Sequence, residues 1–154
     1  VLSTVGYAFF SGVDNSNTIN NNEDTLQYDG SQWTIKVGNN VLRFRSSPES
    51  VKDIPVKIEG DFNQYLNSPL YIASESPVIE YEIASNLGLY TQRTQKACYG
   101  ICNDTELPEK NCTSNLIIYN QSEENKVNQN ESCVFIDGDI RAVDAFLYKV
   151  LGLN

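Results

Sequence analysis

The feature that most constrains this chain is the segment of residues 98–133, which holds all four of its cysteines. An even number of closely spaced cysteines is typical of disulfide-bonded proteins in an oxidising compartment, because cytosolic thiols are kept reduced. Four cysteines allow three pairings. The short spacing of Cys98 and Cys102 favours a local loop, which leaves Cys112 and Cys133, each beside an apolar run, to bridge those two runs.

Metal binding is the competing interpretation of these cysteines. The chain has no histidine, and its cysteine spacing does not make the paired C-x2-C knuckles of zinc proteins. Calcium stays an open alternative at residues 137–139, although the oxygen-rich repeat of an EF-hand loop is absent. The sequence therefore predicts disulfide bonds, with no metal and no cofactor.

The same segment carries four Asn-x-Ser/Thr triplets, the acceptor motif for N-glycosylation, and none has proline at its middle position. Together with the cysteines, these triplets predict an exported protein that carries N-linked glycans and lies at the cell surface or outside the cell. The predicted glycosylation sites are Asn103, Asn111, Asn120 and Asn130.

Composition limits the partners. The 154 residues, 40% of them hydrophobic, suffice for one folded domain with its own core. The net charge of −9 repels nucleic-acid phosphates and anionic lipid, and no run of Lys and Arg makes a local basic patch. Nucleic-acid binding is therefore excluded from the predicted functions.

The N-terminal residues 1–10 are strongly apolar but have only about half the length that a membrane-spanning helix needs. Three interpretations stay open: the end of a signal or anchor helix that begins upstream, a core strand, or a strand that completes a neighbouring subunit. We expect an arm over 1–12, a polar, Asn-rich connector over 13–24 and a single domain over 25–154. The predicted assembly residues of the arm are Leu2, Val5, Tyr7, Phe9 and Phe10.

Alternating apolar residues predict a three-strand meander over residues 26–46 and further strands near 70–72, 116–119 and 134–136. A serine followed by proline predicts a helical turn at 48–53 and a helix beginning at Ser76. Asp139 is the expected cap of a C-terminal helix that Gly152 ends. These elements predict an α+β fold with a mainly antiparallel sheet, two principal helices and the apolar N-terminal strand or arm.

Enzyme chemistry has little support in the sequence. Without histidine, Ser-His-Asp and Cys-His catalysis are excluded, and four oxidised cysteines leave no thiolate nucleophile. Asp137, Asp139 and Asp144 lie close enough in sequence for acid/base chemistry, as in a glycan hydrolase, but a turn, a helix cap and a solvated helix face explain them equally well. The sequence predicts no catalytic residue.

Several motifs lie along most of the chain: residues 6–10 with the polar spacer, the meander over 33–44 leading into 48–51, the regions of Cys112 and Cys133, and the helix over 143–148. Together they resemble short exported archaeal proteins of unassigned function. In that group a hydrophobic signal or anchor precedes the first of these motifs. The resemblance implies an archaeal cell-surface setting, and it implies neither an activity nor catalytic residues.

These observations predict a non-enzymatic extracellular structural protein. Its apolar arm would pack into a neighbouring copy by strand addition, which builds a pilus-like homopolymer or a surface layer. Copies of itself and N-linked glycans are the predicted partners. The alternative is a monomeric, membrane-anchored extracellular domain that binds a ligand or partner and reaches the membrane only through an upstream segment.

Overall fold

A computed structural model of the chain describes residues 25–103 and 106–153. The described residues divide into two compact units, one that ends at Arg43 and one that begins at Phe44. The predicted arm (1–12), its assembly residues and the predicted connector (13–24) lie outside the described residues. The division at those boundaries therefore stays a prediction.

The described residues of the first unit, together with Phe44, form the predicted three-strand meander. Its strands are β1 (Gln27–Tyr28), β2 (Trp33–Val37) and β3 (Asn40–Phe44), neighbours in that order, and β1 pairs antiparallel with β2. Gly38 turns the chain between β2 and β3 with a φ of 61°, which glycine adopts without a side-chain clash. The alternation of apolar and polar residues predicted this element correctly.

The described residues of the second unit form a six-stranded sheet, a two-stranded sheet and three helices. The strands are β4 (Val56–Lys57), β5 (Pro69–Ala73), β6 (Arg93–Lys96), β7 (Cys98–Tyr99), β8 (Glu109–Lys110), β9 (Leu116–Gln121), β10 (Lys126–Asn130) and β11 (Cys133–Gly138). The main sheet has the order β4-β10-β11-β9-β5-β6, and β7 pairs with β8. The helices are α1 (Pro48–Val51), α2 (Pro77–Asn86) and α3 (Ile140–Leu151), and 3-10 turns span Phe62–Gln64 and Leu87–Tyr90.

The α+β mix is confirmed, but the prediction of a mainly antiparallel sheet is wrong for the main sheet. Among the described residues, four of its five strand pairs are parallel, and only β10 with β11 is antiparallel. One of the parallel pairs, β5 with β6, results from a connection that runs through α2 and returns the chain in the same direction. Because the sequence of β6 is polar, a search for alternating apolar residues does not detect this crossover unit.

Both principal helices begin at their predicted caps. The Ser76 hydroxyl accepts a hydrogen bond from the Ile79 N–H at the start of α2, and an Asp139 carboxylate oxygen accepts one from the Arg141 N–H at the start of α3. Gly152 ends α3 in the left-handed conformation with a φ of 72°.

The main sheet has two different faces. On the helix face, apolar side chains are buried on the same side as α3, which packs against β4, β10 and β11; they are Leu70, Ile72, Ile117, Val127, Val134 and Ile136. The opposite side, here called the loop face, carries a smaller core of Tyr71, Leu116, Ile118 and Cys133 with Ala97. Alternation of side chains along each strand produces this division.

The structure pairs Cys98 with Cys102 and Cys112 with Cys133, the pairing that the spacing favours. Cys133 is fully buried in the smaller core, so its bond ties residue 112 to the loop face. Disulfide bonds of this kind indicate a non-reducing environment. In the part of the chain that the structure describes, no helix combines the length and apolarity needed to cross a membrane.

We expect the two disulfides to stabilise the fold unequally. Loop entropy gives about 3 kcal/mol for the bond between Cys112 and Cys133 and about 2 kcal/mol for the short loop of Cys98 and Cys102. The test is to replace each pair by alanine and to measure unfolding in urea. The 112/133 variant should lose more unfolding free energy, because it also loses buried contacts. A larger loss of unfolding free energy in the 98/102 variant would contradict the assignment.

Candidate functional site: a face with exposed sequons and a buried carboxyl pair

All four sequon asparagines have exposed side chains. Asn120 lies on β9 two residues beyond Ile118, so both project from the loop face. Asn130 on β10 lies directly opposite Cys133, and residues opposite each other in an antiparallel pair share a face. Two of the four sequons therefore project from the side of the sheet that faces away from α3.

The other two sequons belong to the cysteine segment that covers the same face. Asn111 precedes Cys112, which is bonded to Cys133 of the loop-face core. Asn103 follows Cys102, and Tyr99 of the same disulfide loop packs edge-on against Phe135 of β11, with ring centroids 5.6 Å apart. The four sequon asparagines thus belong to the loop face or its cover, and none of them lies on the helix face.

The sequon at Asn111 forms a closed local turn. Its Oδ1 accepts hydrogen bonds from the Thr113 N–H at 3.0 Å and from the Thr113 hydroxyl at 2.6 Å. This is an Asx turn, in which a side chain replaces a backbone acceptor. Both bonds use Oδ1, so they do not occupy Nδ2, the atom to which an N-linked glycan is attached.

A second unusual feature is a pair of buried acids between α2 and α3. Glu82 is 1% exposed and Asp144 is 0% exposed. The Arg45 N–H donates to Oε2 of Glu82 at 3.0 Å, and the Ser46 N–H donates to Oδ2 of Asp144 at 2.8 Å. The Tyr148 hydroxyl donates to the Ser46 carbonyl at 2.5 Å. Residues 45 and 46 are therefore held by three side chains of the two helices.

One of these acids retains a proton at neutral pH. Burial, together with the hydrogen bond and the negative charge of Glu82, raises the pKa of Asp144 to about 9. The half-exposed Arg45 guanidinium lies beside the pair, with its Nε 3.8 Å from Oε1 of Glu82. Oδ1 of Asp144 is buried and has no other donor in the described residues, so a proton shared with Glu82 would satisfy it.

The carboxylates singled out in the sequence do not come together. Asp139 caps α3 as expected and forms an ion pair with Arg141 at 2.8 Å, while Asp137 occupies a loop-face position of β11. The expectation that Asp144 lies on a solvated helix face is wrong, because its side chain points to Glu82. Within the described residues, no three His, Cys, Asp or Glu side chains are grouped to hold a metal ion.

Comparison with protein-family models, with curated proteins and with solved structures finds no match. The resemblance to exported archaeal proteins stays a prediction. The functional interpretation therefore depends on the geometry of this chain.

The acid pair is the feature that the sequence analysis missed. Glu82 lies in α2 between Ile79 and Ile83, which are both buried. A polar residue at a helix position that faces the core is the sequence signal that could have identified it. That signal does not identify the partner, because Glu82 and Asp144 are 62 residues apart in the chain and meet only when α2 packs on α3.

We expect the stability of the protein to fall as the pH rises from about 4 to about 9. The folded pKa of Asp144, about 9, lies above the unfolded value of about 3.9, so in this window the folded state binds more protons. The slope from this residue is at most about 1.4 kcal/mol per pH unit. Urea unfolding at pH 5, 7 and 8.5 measures it.

The variant Asp144→Asn isolates this effect, because an amide keeps the shape and both kinds of hydrogen bond without an ionisable proton. Its unfolding free energy is expected to depend less on pH, and at pH 8.5 to equal or exceed that of the unchanged protein. The exposed Asp53→Asn serves as the control and should retain the full slope. Equal slopes in both variants would contradict a shared proton at Asp144.

Proposed function

We propose that this protein is a non-enzymatic, N-glycosylated structural protein of the cell surface that assembles through its N-terminal arm. In this proposal residues 1–12 of one copy add as a strand to the main sheet of the next, which gives a pilus-like filament or a surface layer. A head-to-tail contact of this kind does not close on itself, so it repeats. The setting is extracellular, and an archaeal surface is the one that the motif resemblance favours.

The distribution of the sequons supports the surface setting. Four exposed acceptor asparagines belong to one disulfide-tied side of the second unit. Glycans on that side would leave the helix face and the sheet edges uncovered for contacts between copies. The location of the sequons on one side is the single observation on which the proposal depends, because randomly placed sequons would be expected on both faces.

Open sheet edges support assembly by strand addition. The main sheet is not closed, and in the described part of the chain β4 and β6 are its outer strands. Outer strands present backbone N–H and C=O groups that another strand can pair with. Residues 1–10 are apolar and uncharged in their side chains, as a strand that becomes buried between copies requires.

A second candidate, the anchored monomeric binding domain, is favoured by exposed apolar side chains. Tyr81 of α2 is 63% exposed, and Ile101 in the Cys98–Cys102 loop is 90% exposed. Large exposed apolar groups of this kind are common at sites of protein contact. In this alternative the arm is the end of an anchor helix.

Removal of residues 1–12 distinguishes the two candidates. We expect the full chain to form filaments or sheets in electron micrographs and the shortened chain to stay monomeric at the same concentration. A variant in which residues 1–12 are replaced by twelve glycine and serine residues controls for length and should also stay monomeric. Unchanged assembly of the shortened chain would contradict arm exchange.

Glycosylation is tested by replacing each sequon asparagine with glutamine in a host that performs N-glycosylation. Intact-mass spectrometry should show the loss of one glycan for each occupied site. Asn128→Gln is the matched control, since Asn128 is exposed on the same strand and face as Asn130 but begins no sequon, and its mass should keep every glycan. Four variants with no loss of glycan mass would contradict the proposal.

A further inference from the structure

Strand β6 has a free hydrogen-bonding edge in the described part of the chain. It pairs with β5 on one side, and all four of its residues are exposed. The Ala97 N–H, directly after β6, donates to the Ile72 carbonyl of β5 at 3.0 Å. Because backbone groups alternate in direction along a strand, the N–H and C=O groups of Thr94 and Lys96 point away from β5. They are available to an added strand.

The opposite edge of the sheet is less suited to this role. Strand β4 has two residues and follows Pro55. Immediately after it, the N–H groups of Glu59 and Gly60 both donate to Oε1 of Gln129, each at 2.9 Å. Short strands, nearby proline and bonded backbone groups are features that protect an edge from pairing.

The surroundings of β6 are positive in a chain of net charge −9. Lys110 Nζ lies 4.5 Å from the centroid of the Tyr71 ring, and the Arg93 guanidinium lies 5.9 Å from the same centroid and donates to the Tyr71 hydroxyl at 3.0 Å. Neither cation forms an ion pair with a carboxylate of the described residues, whereas Lys96 pairs with Glu80 at 3.5 Å. Two positive charges beside this edge are thus without a carboxylate partner.

The N-terminal segment is complementary to such an edge. Residues 1–12 contain no charged side chain, and residues 13–24 contain three acids, Asp14, Glu23 and Asp24, and no base. Twelve connector residues extend over about 40 Å, which is long enough to reach a neighbouring molecule. An uncharged strand followed by an acidic connector therefore matches an open edge bordered by cations.

An exposed apolar side chain also borders this edge on the helix face. A Cβ on Gly88 would lie 2.9 Å from Thr94 Cγ2, so the turn over Leu87–Tyr90 approaches β6 closely. Leu89 in that turn is 47% exposed. Alternate side chains of an added strand would project toward Leu89 and cover it.

We propose that β6 of one copy accepts part of the arm, residues 1–12, of a second copy as an added outer strand, and that Arg93 and Lys110 bind the acidic connector of that copy. This inference rests on the proposed arm exchange and assigns its acceptor.

The first test compares Thr94→Pro with Thr94→Ala in the full chain. Proline removes an outward N–H and leaves the bonds to β5 in place, as is tolerated at sheet edges. We expect Thr94→Pro to raise the protein concentration needed for assembly at least tenfold by light scattering, while Thr94→Ala assembles normally. Circular dichroism and thermal melting check that both variants fold. Normal assembly of a folded Thr94→Pro variant overturns the proposal.

A second measurement decides the matter if the proline variant fails to fold. A photoreactive benzoylphenylalanine replaces Gln95 in one sample and Lys57 of β4 in another, and each is mixed with isotope-labelled chain before irradiation. We expect inter-copy products joining position 95 to residues 1–12, found by mass spectrometry. Products from position 57 alone would overturn β6 as acceptor and leave arm exchange standing. Products from neither position, with assembly unaffected by removal of residues 1–12, would overturn both proposals.

Discussion

The parallel pairing of β9 with β11 organises the second unit. Six consecutive residue pairs join these strands, from Leu116 with Cys133 to Gln121 with Gly138. Side chains on one side of the pair enter the large core beneath α3, and those on the other side enter the small loop-face core. A shift of one residue in this register would exchange the two sets of side chains, so both cores and the disulfide at Cys133 depend on it.

Local elements were predictable from the sequence because their signals are local. Ser76 with Pro77, Asp139 and Gly152 mark helix ends, and the alternation around Trp33 marks the meander. The strand directions were not predictable in this way. They depend on the crossover through α2 to β6, whose sequence is fully polar, and on long-range register that no local pattern encodes. The motifs of the candidate glycan sites were visible in the sequence, but their common side of the sheet follows only from that register.

The acid pair shows how a costly interaction can specify a conformation. Two carboxyl groups in the core oppose folding unless a proton and several donors compensate for their lost hydration. Here the donors are the consecutive N–H groups of Arg45 and Ser46, directly after the boundary between the two units. Two apolar side chains in the same place would form no hydrogen bonds, so they would not specify which backbone N–H groups lie beside them. The carboxyl pair therefore defines where the chain enters the second unit.

The sequon at Asn111 has a consequence for how the protein is made. Its middle residue is Cys112, so the proposed sugar transfer and the oxidation would act on adjacent residues of one three-residue turn. Once the bond to Cys133 has closed, Cys112 is also held by its carbonyl, which accepts from the Ser132 N–H at 3.1 Å. A glycosyl transferase that requires a flexible acceptor segment would then bind a rigid one at Asn111. In the proposed glycoprotein, the extent of modification at this asparagine would therefore record which of the two reactions came first.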